Sequence, residues 1–253
     1  MSRALTIEML YPEIANLHGD NANIDYLVQC RPDARVVRTG LTDTPAFATG
    51  PVDLVYLGPM TENGQLKAIE HLRPHRERIE ALIEAGTSFV FTHNALEVLG
   101  TRIRNAEMEY DASGVGVFAL ESTVQMFGRY NGKVMGVVPE AGAEHPVVGY
   151  KSQFSMVSVE GAVPGFLTAD RGIGRNTSTA VEGVRVNNFI GTSLLGPLLI
   201  ANPHFTRGLL ARLDPDTEPV LAHESFALAA YDARLAEFRD ARRWHAAEHP
   251  NPA

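Results

Sequence analysis

The sequence predicts an α/β protein: an open, mostly parallel sheet with flanking helices, followed by a strand-rich C-terminal half. Strand-like and helix-like segments alternate up to Gly100, the pattern of right-handed β-helix-β crossovers. Beyond Gly100, short β signals recur between Gly, Pro and Asn. The 253 residues suffice to bury a core without staples, since a chain of this size removes about 70–75% of its unfolded surface from water.

The elements follow in order. Leu5–Leu10 reads as a first strand, and the turn-rich Asn16–Asp20 leads into a helix over Ala22–Gln29. Arg35–Arg38 is a second strand. Val52–Leu57 is a third, with the near-continuous apolar character of a strand covered on both faces. Leu66, Ile69 and Leu72, then Ile79, Leu82 and Ile83, mark helical faces that Pro74 must kink or divide. Gly86 caps the second piece before a fourth strand, Ser88–Thr92. Val115–Leu120, Thr123–Met126, Lys133–Val138, Val147–Lys151 and Ser155–Val159 read as short strands extending the same sheet with antiparallel pieces. Val181–Ile190 supplies another strand or two, and Gly196–Ala201 starts a short helix. A C-terminal helix from Ser225 to about His245 places Leu228, Tyr231, Leu235 and Phe238 on one stripe, with Arg234, Arg239 and Arg242 facing water and a frayed end after His249. Residues 1–205 are expected to form the α/β domain, and 206–253 a helical extension packing on it or on a partner.

Composition narrows the function. Apolar residues make up 45% and charged residues 21%, which is ordinary for a globular chain. The N-terminus reads as a strand, not a signal peptide, and no apolar run reaches the ~18 residues needed to span a bilayer. A single cysteine, Cys30, and a net charge of −8 suit a cytoplasmic protein and speak against a nucleic-acid partner.

Ligands of open α/β sheets collect at the C-terminal ends of the strands. Three loops qualify: Asn16–Asn21, Gly58–Thr61 and His93–Ala95. The last has the form of a nucleophile elbow, a buried strand turning sharply at one polar residue into a helix. Its apex is His93. Taken alone, His93 is a backbone-bonded imidazole, a ligand contact or a base, in that order of preference.

The chain resembles the glutamine amidotransferase subunits of lipid II isoglutaminyl synthase, in the cobyric-acid-synthase-like branch of the class I amidotransferases, which are flavodoxin-like. The resemblance runs from about Leu5 to about Ile200. It rests on Leu17–Asn23, on Val55–Gly58 leading into Thr61, Glu62 and Gln65, on the elbow ending Leu99-Gly100, and on Val148-Gly149-Tyr150. Its most specific stretches are Gly172–Asn176 and Gly191–Leu198. The departures fall on the chemistry. The family's cysteine nucleophile aligns with His93, its catalytic histidine with Leu195, and its glycine-rich oxyanion loop with Gly58-Pro59-Met60, where proline has no N–H to donate. The segment Lys151–Ser155 also departs from the family pattern. Glutamine hydrolysis by this route needs a thiolate, a histidine to activate it and donors for the oxyanion, so no glutaminase activity is expected and no residue is assigned as catalytic.

Other constellations are weaker. Cys30 lies away from the elbow and reads as a packed thiol. Thr92 points away from His93, and a Ser193–His93 pair lacks a third group to orient the imidazole. His71 and His75 are four apart, but Pro74 interrupts their helix, so they read as solvent-exposed and no metal site is expected. Gly172-Ile173-Gly174 is a turn and no P-loop is present, so no cofactor is expected. Asp20 either lines the pocket or caps the following helix.

The resemblance implies a degenerate amidotransferase-like subunit supporting a Mur-ligase-like, ATP-dependent synthetase partner in amidation of a cell-wall precursor. One alternative is a small-molecule binding or sensor module reusing the glutamine pocket through His93, Asn94, Asp20 and Gln153, with Ser193 nearby. Another is an enzyme with rewired chemistry around His93.

Overall fold

In the computed structural model, which describes residues 4–105, 107, 109–138, 141, 144–243 and 247–248, strand β1 (Thr6–Leu10) is followed by helix α1 (Ala22–Cys30). Strand β2 (Arg35–Thr39), short helix α2 (Ala46–Thr49) and strand β3 (Leu54–Leu57) come next. Helices α3 (Glu62–Leu72) and α4 (Arg76–Glu84) are divided by a 3₁₀ turn over Arg73–His75, as Pro74 requires. Strand β4 (Ser88–Thr92) and helix α5 (Ala95–Val98) complete the alternating half. Strands β5 (Arg102–Asn105), β6 (Tyr110–Ser113), β7 (Leu120–Val124), β8 (Tyr130–Val137), β9 (Val147–Gln153) and β10 (Ser155–Val159) follow. Then come β11 (Leu167–Arg171), β12 (Val181–Glu182), β13 (Val184–Val186) and β14 (Phe189–Thr192). Helices α6 (Leu198–Ala201), α7 (Pro203–Leu213) and α8 (Glu224–Arg239) and the two-residue β15 (Ala247–Glu248) end the described chain.

The main sheet has the order β13-β14-β4-β3-β1-β2. Its strands from β14 to β2 run parallel, and β13 pairs antiparallel at the edge. Side-chain alternation divides its residues between two cores. Val55, Leu57, Phe89 and Phe91 face one, with α3 and α4 packed over it through Ile69, Leu72, Ile79 and Ile83. Leu54, Tyr56, Val90 and Ile190 face the other, covered by α1, α6 and α7. Apolar demand on both faces explains the unbroken run of β3.

Glu8 interrupts that rule in β1. Its carboxylate is fully buried and accepts the Thr39 hydroxyl at 2.6 Å and the Ala46 and Phe47 amides at 2.6 and 2.7 Å. It thereby joins β2 and the start of α2 to the sheet.

The second half departs from expectation. Only β13 and β14 extend the main sheet; the rest builds a sheet β10-β7-β5-β6 and a separate layer β12-β11-β8-β15 with β9 paired to β8. Of Val115–Leu120 only Leu120 is strand, because the amides of Val115, Val117 and Phe118 bond back to the carbonyls of Val98 and Leu99. Strands β5, β6 and β11 and helices α2 and α7 were not expected; the strands and α2 are short, whereas α7 was legible from Phe205, Leu209, Leu210 and Leu213 at helical spacing and from Pro203 in its first turn. Helix α8 stops at Arg239, short of the expected His245, and Tyr231, Leu235 and Phe238 pack on Met135 and Val148 of the third layer. Arg234 does not face water: it is half-buried, donating to the Ala201 carbonyl at 3.2 Å. The end after His249 lies outside the described residues. Among those residues no helix is long and apolar enough to cross a membrane.

Replacing Glu8 by Gln turns an acceptor oxygen into an NH₂ facing a donor. The Glu8→Gln variant should lose about 2–3 kcal/mol in urea unfolding, through a lower midpoint at unchanged slope.

Candidate functional site

The strand order β2-β1-β3-β4 reverses direction between β1 and β3. Such a switch point leaves a crevice beyond the strand ends, and the loops after β1, β3 and β4 meet there. They are held against each other. The Leu17 amide donates to the Pro59 carbonyl at 3.0 Å, and a Cβ on Gly58 would lie 2.4 Å from the Ala15 carbonyl oxygen, so only glycine fits.

His93 stands at the turn from β4 to α5 with a φ of +54°, a left-handed conformation rare for a residue with a side chain. The elbow geometry is therefore present with an imidazole at its apex. Nε2 lies 2.9 Å from the Ser152 carbonyl. A carbonyl only accepts, so Nε2 carries the proton and Nδ1 offers a lone pair. Nδ1 is buried and has no hydrogen-bond partner. Burial pushes the His93 pKa below its ordinary value, opposed by the Ser152 bond and by the Asn94 side chain, and nearby His18 pushes it further down. The His18 and His93 ring centroids are 6.0 Å apart.

The loop Gly58-Pro59-Met60, expected from the resemblance to match an oxyanion cradle, is closed on itself. Asn94 accepts the Met60 amide at 3.1 Å and returns a bond to the Met60 carbonyl at 2.8 Å. Pro59 has no N–H, so neither residue offers a free amide at this position. The Asn94 carbonyl accepts from the Gln65 side chain at 2.8 Å. Leu195, where the resemblance places a catalytic histidine, is half-buried with its amide on the Tyr150 carbonyl at 2.7 Å, and its side chain cannot move a proton.

Asp20 does not cap α1, where Asn21 holds the cap position. Its fully buried carboxyl receives the Tyr56 hydroxyl at 2.5 Å and the Thr92 hydroxyl, and a Cβ on Gly196 would overlap its Oδ1. Burial raises its pKa, against the Thr92 and Tyr56 bonds that lower it. Gln153 is buried and donates to the Ser155 carbonyl at 2.7 Å. Ser193 is buried with its amide on Glu182 at 2.8 Å. Cys30 is buried beside Ala222, whose amide points at Sγ from 3.3 Å. His71 and His75 are half-buried, contrary to expectation: Tyr11 holds Nδ1 of His71 at 2.7 Å and His75 packs edge-on to Phe47. Among the described residues no group of three or more His, Cys, Asp and Glu is placed to hold a metal ion.

Sequence reasoning overlooked His18, Tyr56, Glu97 and Glu182. Glu97 lies one helical turn past His93, buried, and receives the Ser155 hydroxyl. Burial raises its pKa to about 7, against bonds from Ser155, Ser122 and Gln65. Glu182 pairs with Lys151 at 3.4 Å, both fully out of water, and accepts the Thr192 hydroxyl at 2.8 Å. Lys151 also donates to the Gly174 carbonyl at 2.6 Å, so the stretches around 150, 174 and 192 are wired together. For Glu97 the available signal was a charged residue inside the otherwise apolar run Ala95–Leu99.

Comparison with solved structures defines the class of fold. The chain matches PurLQS from Thermotoga maritima with a TM-score of 0.58 at 14% identity, covering 85% of this chain and all of the matched one. It matches a glutamine amidotransferase from the same organism with a TM-score of 0.52 at 10% identity, covering 91% of this chain and 93% of that one. A further glutamine amidotransferase matches with a TM-score of 0.53 at 12% identity, over 81% of this chain and 98% of that one. The fold is that of the glutamine amidotransferases. No protein-family model matches. In sequence, the chain is 24% identical over 212 residues to the GatD subunit of lipid II isoglutaminyl synthase (glutamine-hydrolyzing) from Staphylococcus aureus strain N315, covering 82% of this chain and 84% of the relative. The chain is thus similar in sequence to a GatD subunit and similar in fold to the glutamine amidotransferases.

Glu97 predicts a pH signature. Between its ordinary value of 4.5 and about 7, the folded protein holds a proton that the unfolded chain releases. Glu97 should therefore contribute a fall in stability as pH rises through this window, of on the order of 3 kcal/mol, and Glu97→Gln should remove that share, so that the variant loses less stability than the wild type between pH 5 and pH 7 in denaturant titrations.

Proposed function

We propose that this chain is a degenerate glutamine amidotransferase-like subunit that does not hydrolyse glutamine and that supports a Mur-ligase-like, ATP-dependent partner in amidating a cell-wall precursor of the lipid II type. The observation that carries the reading is the elbow itself: its left-handed turn is present while its apex is His93, and the Met60 amide of the neighbouring loop is already taken by Asn94. Forming a thioester needs a thiolate nucleophile, and the tetrahedral oxyanion needs free donors. An imidazole anchored to Ser152 supplies neither. The partner and the substrate come from the relative, which is by name a subunit of lipid II isoglutaminyl synthase.

A second reading, a small-molecule binding module, is favoured by the buried, unpartnered Nδ1 of His93. A ligand with an N–H or O–H could donate to that lone pair and relieve the cost of leaving it unbonded. A thermal-shift screen over amino acids and nucleotides separates the two readings.

Ammonia release from glutamine should stay at the buffer blank for the wild type and for His93→Cys. The double variant His93→Cys, Leu195→His should remain far below an active glutaminase, because the Asn94–Met60 pair still occupies the oxyanion loop. Wild-type turnover of glutamine would overturn the proposal. Tagged protein should also co-isolate with an ATP-dependent ligase from its native host; isolation alone, at full stability, counts against the subunit role.

A further inference from the structure

A cavity of about 360 Å³ opens between α3 and the sheet β10-β7-β5-β6, away from the apex of the elbow. Its walls are mainly apolar, formed by Leu66, Ile103 and Val124. Its polar groups are Glu62 in the first turn of α3, Asn63, Gln65, Asn105 and Tyr110. Apolar walls with a few convergent polar groups are the usual make-up of a small-molecule site.

Two features restrict what could bind. The Tyr110 hydroxyl is buried and has no hydrogen-bond partner, a state that costs free energy until something bonds to it. The charge on the cavity is of one sign. Glu62 is the only charged side chain among the described lining residues. The Glu97 carboxyl lies one side chain deeper, bonded by Gln65 from the wall. Both carboxyls act on the Tyr110 phenol and, with burial, push its pKa up, so the hydroxyl keeps its proton and its lone pairs face an electronegative cavity. An anion would be repelled here. A neutral hydrocarbon would leave the hydroxyl unbonded.

We propose that this cavity binds a small organic cation: a primary ammonium on an apolar body, its N–H groups donating to the Tyr110 hydroxyl and the Glu62 carboxylate. The apolar body would lie against Leu66, Ile103 and Val124. The site stands apart from the subunit role proposed above and requires neither glutamine chemistry nor a partner. Gln65 links it to the elbow, since its side chain also donates to the Asn94 carbonyl at 2.8 Å.

The test is a titration of the full chain with cyclohexylamine at neutral pH, followed by calorimetry or amide chemical shifts, with cyclohexanol and cyclohexanecarboxylate as uncharged and anionic probes of the same shape. The amine should bind saturably and at least about tenfold more tightly than the alcohol, as expected of hydrogen bonds to a charged group. The carboxylate should not bind. Tyr110→Phe should weaken the amine by roughly three- to tenfold, the range of a single hydrogen bond, and Glu62→Gln should weaken the amine but not the alcohol. Amine and alcohol binding alike, no saturable amine binding, or Glu62→Gln and Tyr110→Phe both binding as the wild type would overturn the proposal. Circular dichroism checks each variant's fold. Should Tyr110→Phe fail to fold, Glu62→Gln, at an exposed helix start, decides alone.

Discussion

One buried carboxyl organises the crevice on which the rest of this molecule depends. Asp20 comes from the loop after β1 and receives hydroxyls from Tyr56 in β3 and Thr92 in β4, while its backbone carbonyl accepts from Asn23 in α1 at 2.9 Å. A lone carboxylate in such a place would cost several kcal/mol, and these bonds, together with its raised pKa, are how the fold tolerates it. Because the donors sit on adjacent central strands, the carboxyl fixes the spacing of the loops at the switch point. Gly196 is excluded from carrying a side chain by the same group.

Everything that shapes the crevice is in place: the left-handed turn at His93, the close approach of Gly58 to Ala15, and the Lys151–Glu182 pair tying the distant motif stretches together. At the crevice His93 and Asn94 are both committed to holding structure. His93 is anchored by its ring to Ser152, and Asn94 occupies the Met60 amide.

Much of the alternating half was legible because its strands answer to two cores at once, and such runs are hard to mistake. The boundaries of α1, β4 and β10 fall within a residue of expectation. The second half was less legible for a physical reason: a short strand in a small sheet carries four or five residues, and which sheet it joins is decided by partners distant in sequence. Arg102–Asn105 and Tyr110–Ser113 carry polar patterns that pairing, not periodicity, makes into strands. At the site, the elbow was readable from its strand and turn, whereas the role of Asp20 was not. Its surroundings come from Tyr56 and Thr92, which local sequence cannot bring together.

The Lys151–Glu182 pair has an evolutionary corollary. Both groups are sealed from solvent, so losing either one strands an opposite charge in a medium that cannot hydrate it. Drift at these two positions is therefore coupled: related chains should retain both ions or exchange both for uncharged side chains, and a lineage caught between the two would pass through a poorly folding ancestor.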